Sequence, residues 1–64
     1  MTYPPHFFVR SMGAKPLYAY FDRSGRIGWT DESRLAGRFE RWEAIRIRDN
    51  FREQGAAVTT EVDS

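Results

Sequence analysis

The first half of the chain alternates apolar and polar residues, and the second half repeats apolar residues at helical spacing. His6–Met12 (HFFVRSM) is rich in aromatic and branched side chains and ends at Gly13, so it predicts a strand. Leu17–Phe21 (LYAYF) predicts a second, with Leu17, Ala19 and Phe21 on one face and Tyr18 and Tyr20 on the other. Asp22-Arg23-Ser24-Gly25 is turn chemistry: Asp favours the first turn position and Gly accepts positive φ. Arg26–Trp29 (RIGW) follows as a short third strand. Strands joined this tightly predict an antiparallel meander.

Thr30 stands where a helix entry wants a cap, ahead of a single weak turn over Arg34–Phe39 that Gly37 keeps short. The main helix is predicted over Arg41–Gln54. Glu40 and Glu43 lie at its start, where the dipole favours acids, and Gly55 sits where helices end in the left-handed conformation. Ala56–Val62 (AAVTTEV) predicts a fourth strand able to return beside the first. The predicted fold is α+β: a small antiparallel sheet with the helix packed on one face, in the order βββαβ.

At ~100° per residue, Ala44, Ile47 and Phe51 fall within roughly 60° of one another and form the core stripe, with Phe39 ahead of it. Their expected partners are Phe7, Val9, Leu17, Ala19, Phe21, Ile27, Trp29 and Val58. Ile45 and Trp42 lie ~100° and ~160° from Ala44 and do not fit. Either Trp42 folds under the Thr30–Arg38 segment and completes the core, or Trp42 and Ile45 form an exposed partner-binding patch. Trp is the residue type most enriched at binding hot spots.

Two surfaces carry candidate chemistry. Arg41, Arg48 and Arg52 share a helical azimuth with Ile45 between them. The stripe is either a solvated face paired with Asp49 and Glu53, or a contact surface for phosphates or acidic side chains, which Arg grips in bidentate fashion. Arg34 and Arg38 extend it if their turn packs beside the helix. Strand alternation sends His6, Phe8, Arg10, Tyr18 and Tyr20 to the sheet face opposite the helix. Such a face suits cross-strand aromatic pairing, a homodimer, or stacking of single-stranded nucleic acid.

Composition sharpens this picture. The 64 residues hold ten aromatics and no cysteine, so there is no disulfide or thiolate metal site and aromatic burial must supply most of a small core. One domain spanning residues 1–64 is expected, with residues 1–5 and 62–64 frayed. Net charge is +1, too small for strong global steering to nucleic acid, but it hides a +3 segment over residues 23–52 and a −3 segment over 53–64. No apolar run is long enough to span a membrane, and the start of the chain lacks a signal-peptide pattern. A cytoplasmic protein without membrane contact is therefore expected.

Catalytic chemistry finds little footing. His6 is the only histidine, which excludes histidine-cluster zinc sites and any triad not built on His6. Gly25-Arg26-Ile27-Gly28 lacks the strand–loop–helix context of a phosphate loop. Asp22, Asp31, Glu32, Glu40 and Glu43 could supply a carboxylate pair, but each already has a turn, cap or dipole role. The expectation is a protein with no catalytic residues, no bound metal and no cofactor.

The pattern Gly25…Gly28-Trp29-Thr30-Asp31, then Leu35-Ala36, Phe39, Glu43-Ala44 and Ala57-Val58-Thr59, resembles small α+β accessory proteins encoded by phages and prophages. Anti-CRISPR proteins are one such group. The resemblance covers roughly residues 17–60 and carries over no residue role. It implies a non-enzymatic inhibitor or modulator that acts in the host cytoplasm by binding a host protein or ribonucleoprotein complex. The partner-binding residues expected for that role are Trp42, Ile45, Arg41, Arg48 and Arg52. Phe8, Arg10, Tyr18 and Tyr20 form a second surface, the alternative being a single-stranded nucleic-acid-binding module.

Overall fold

The computed structural model describes residues 5–63. Its elements are β1 (His6–Ser11), β2 (Tyr18–Phe21), β3 (Ile27–Thr30), a 3-10 turn (Ser33–Leu35), α1 (Arg41–Glu53) and β4 (Val58–Asp63). The strands form one antiparallel sheet in the order β3-β2-β1-β4, so the chain is the expected small α+β domain of order βββαβ.

The β2–β3 turn closes as its sequence demands. Asp22 Oδ1 accepts from the Ser24 N–H at 2.8 Å, the Ser24 hydroxyl at 2.6 Å and the Arg26 N–H at 3.0 Å. Gly25 supplies the positive φ of 84°. Those hydrogen bonds, the Ser24 hydroxyl first, hold the Asp22 carboxyl below the usual aspartate range. Thr30 caps no helix; its Oγ1 accepts from the Glu32 N–H at 3.1 Å and turns the chain into the 3-10 segment.

Glu40 opens α1, and Glu43 reaches back to accept from the Glu40 N–H at 3.2 Å. At the other end the Gly55 N–H bonds to the Arg52 carbonyl and the Ala56 N–H to the Phe51 carbonyl. With Gly55 at φ 88°, this is the Schellman termination predicted for that glycine.

The sheet is not a simple meander. β1 and β2 are in register only at Arg10 and Tyr18. Beyond that point they splay, and residues 37–39 enter the gap. Phe39 exchanges both backbone hydrogen bonds with Phe7, at 2.8 and 2.9 Å, and the Gly37 N–H bonds to the Ala19 carbonyl at 2.9 Å. The Phe39 ring thereby enters the core, where it is 2% exposed. It also forecloses a side chain at Gly37, where a Cβ would stand 2.6 Å from Phe39 Cζ.

The buried core is Val9, Ala19, Phe39, Ala44 and Val58. Phe7, Ile27, Trp29, Ile47 and Phe51 surround it half-buried, with Trp29 edge-on to Phe51 at 5.1 Å. Leu17 and Phe21, expected inside, are 42% and 52% exposed. The cause is the position of α1, which packs on β1 and β4 rather than over β2. β4 runs through Asp63, opposite His6, so Val62 and Asp63 are paired where fraying is expected. Residues 1–4 and 64, also expected to fray, lie outside the described residues.

Candidate interaction surfaces

Trp42 stands on the outer side of α1 and is 60% exposed. It does not fold under the Thr30–Arg38 segment to complete the core; Phe39, at 2% exposed, is the buried aromatic of that region. Its indole Nε1–H donates to Glu40 Oε2 at 2.6 Å, which fixes an otherwise free ring. The helical repeat places Arg46 one turn away, and neither Arg41 nor Arg46 forms an ion pair among the described residues.

Ile45 is half-buried and lies on a different side of α1. With Phe7, Arg41, Ala44, Arg48 and Thr60 it lines a groove of about 160 Å³ between α1 and β4. Trp42 and the Arg41–Ile45–Arg48 row are thus neighbouring faces of one helix. The row is not a set of free guanidiniums. Arg48 Nε donates to Asp49 Oδ1 at 3.0 Å, and its side chain is only 26% exposed. Arg52 Nε donates to the Val58 carbonyl at 3.0 Å and ties the helix end to β4.

Arg34 and Arg38 do not extend the row. Arg34 lies 3.5 Å from Glu32, and Arg38 Nε lies 3.0 Å from Asp63 Oδ2. Because Phe39 points to the core, extended backbone turns Arg38 to the opposite face of the sheet.

That opposite face brings Phe8, Arg10, Tyr18 and Tyr20 together, all half-buried. Phe8 and Tyr18 stack edge-on at 5.8 Å. The phenol end of Tyr20 covers Gly28, with Cζ 2.8 Å from where a Cβ would stand. Arg10 Nε is 2.9 Å from Glu61 Oε2, but out of line with its N–H, so the contact is an ion pair without an aligned hydrogen bond. The aromatic face therefore carries the carboxylates of Glu61 and Asp63 alongside its bases.

A shallow cleft of about 430 Å³ lies among Pro5, His6, Phe7, Glu40 and Arg41. No cluster of three or more His, Asp or Glu side chains is placed to hold a metal among the described residues. No helix is long and apolar enough to cross a membrane.

No protein-family model, curated protein or solved structure matches the chain. The sequence patterns that bring Trp42 and the arginines onto one helix were readable beforehand. The anchoring of Arg52 on Val58 was not, because it joins residues whose proximity depends on the reversal at Gly55.

Proposed function

We propose that the protein is a non-enzymatic binding protein, of the phage or prophage accessory type that its sequence resembles, and that it occludes a surface on a host protein or ribonucleoprotein complex. One observation carries this reading: Trp42 is exposed yet held in place by Glu40. An ordered, solvent-facing Trp loses little rotamer freedom on docking and offers a large contact area. The unpaired guanidiniums of Arg41 and Arg46 beside it suit an acidic partner patch or the edge of a nucleic-acid channel in a ribonucleoprotein.

Direct binding of single-stranded nucleic acid through Phe8, Arg10, Tyr18 and Tyr20 is the less favoured reading. The face has the aromatic groups, but Arg10 is already paired with Glu61.

The test is affinity capture from bacterial host lysate, with and without nuclease, using the wild-type chain and a Trp42→Ala, Arg41→Glu variant. Arg41 is the arginine changed because it is exposed and unpaired among the described residues, whereas Arg48 is half-buried against Asp49. A nuclease-resistant partner lost by the folded variant is the expected result. A partner kept by the variant, or released by nuclease, overturns the reading.

A further inference from the structure

β4 is an edge strand, and its outward hydrogen-bonding groups can be identified. Phe7 and Ser11 direct their N–H groups away from β4, to Phe39 and Leu17, whereas the Met12 N–H bonds to the Ala57 carbonyl. The even-numbered residues of β1 therefore face β4. In the observed register they bond to Thr59, Glu61 and Asp63. The N–H and C=O groups of Val58, Thr60 and Val62 point outward.

Of these, the Val58 carbonyl is capped by Arg52. Thr60 and Val62 have no hydrogen-bond partner among the described residues beyond the sheet. The open edge is therefore a short template of three donors (Val58, Thr60 and Val62) and two acceptors (Thr60 and Val62), with the third carbonyl, that of Val58, taken by Arg52. It carries no lysine, proline or bulge, and its only charged residues, Glu61 and Asp63, are held in ion pairs on one face of the sheet.

The two sides of this edge differ in charge. On the helix side it borders the groove of Arg41, Ile45 and Arg48, where Arg48 is paired with Asp49 and Arg41 has no ion pair among the described residues. On the other side stand Glu61 and Asp63, paired with Arg10 and Arg38. We infer that the β4 edge accepts an extended segment of a partner protein by strand addition. Its alternate side chains facing α1 are acidic, and those facing the other side are uncharged. A second copy of this chain fits less well, since pairing β4 with β4 by two-fold symmetry brings two Arg41–Arg48 rows together. The inference rests on the binding-protein reading above and names the chemistry of its partner.

The probe is a fluorescent peptide of about eight residues that alternates Glu and Val, a typical strand length. A Lys-Val peptide and an N-methylated Glu-Val peptide serve as controls. Val62→Pro removes an outward donor and leaves the β1 ladder intact. Saturable binding of the Glu-Val peptide is expected, weakened about tenfold or more by Val62→Pro and by Arg41→Glu, and by N-methylation. Circular dichroism checks that each variant folds, and the N-methylated peptide decides the matter if Val62→Pro does not. No binding, equal binding of the Lys-Val peptide, or indifference to N-methylation overturns the inference. So does self-association in sedimentation that Val62→Pro abolishes, since the edge then serves a second copy. A host partner that needs Trp42 but tolerates Val62→Pro refutes the edge while sparing the binding-protein reading. A peptide that needs Val62 alongside a host partner indifferent to Trp42 does the reverse.

Discussion

Arg52 Nε donates to the carbonyl of Val58 at 3.0 Å across the Gly55 reversal. A residue that the helical wheel places in a free basic stripe is thus a strap between α1 and the edge strand. Arg52→Ala is expected to cost about 1.5 kcal/mol, the low end for a hydrogen bond to a charged donor because the residue is largely exposed. Urea denaturation reads this as a lower midpoint at unchanged slope. Arg52→Glu should cost more than Arg52→Ala, since it also opposes the helix dipole.

Glycine substitutions separate two kinds of close approach. At Gly37 a new Cβ meets the Phe39 ring at 2.6 Å and the Ala19 carbonyl at 3.2 Å, and both belong to the buried junction of β1 and β2. Gly37→Ala should destabilise by about 2–3 kcal/mol through forced repacking. At Gly28 the obstacle is the phenol end of Tyr20 on an open face, which can swing aside. Gly28→Ala should cost less, and the paired thermal midpoints check the order.

Trp42 and Phe39 make a second contrast. Phe39 is 2% exposed and Trp42 is 60% exposed. Phe39→Ala should remove about 3–5 kcal/mol, enough to unfold a domain of this size. Trp42→Ala should cost under about 1 kcal/mol, since it gives up an exposed ring and one hydrogen bond. Equal losses in a denaturation series would contradict this placement.

Asp22 sets a pH dependence. Its carboxyl titrates lower in the folded state than in the unfolded chain, because the Ser24 hydroxyl and the Arg26 and Ser24 N–H groups donate to it. The ionised form stabilises the fold above the unfolded aspartate value of about 3.9, and that contribution is lost as pH falls through the lower folded value. Asp22→Asn should therefore lower stability at neutral pH and flatten its fall in acid. Denaturation midpoints between about pH 2 and pH 7 would show the two curves converging at the acid end.

The aromatic sheet face yields a prediction about nucleic acid. With Arg10 paired to Glu61 and Arg38 to Asp63, a single-stranded oligonucleotide should leave tyrosine fluorescence unchanged at low salt. Saturable quenching that weakens steeply with salt would restore the nucleic-acid reading.

Local chemistry sets the strands, the β2–β3 turn and the end of the helix. Strand alternation placed Tyr18 and Tyr20 opposite Ala19, Asp22 and Gly25 fixed the turn, and Gly55 ended the helix; each depends on residues within a few positions. The sequence allowed β4 to return beside β1 but equally at another edge, and the observed pairing with β1 is a tertiary outcome. Tertiary structure decided the rest. Residues 37–39 wedge between β1 and β2, which buries Phe39, while Trp42 stays on the outer side of α1. α1 settles over β1 and β4, which exposes Phe21 and Leu17. The partners of Arg10, Arg38 and Arg52 are Glu61, Asp63 and Val58, all on β4, and none is a neighbour that helix or strand periodicity would supply. Periodicity reports which side of an element a residue occupies, but not which neighbour arrives there. That choice is made by packing the whole chain at once.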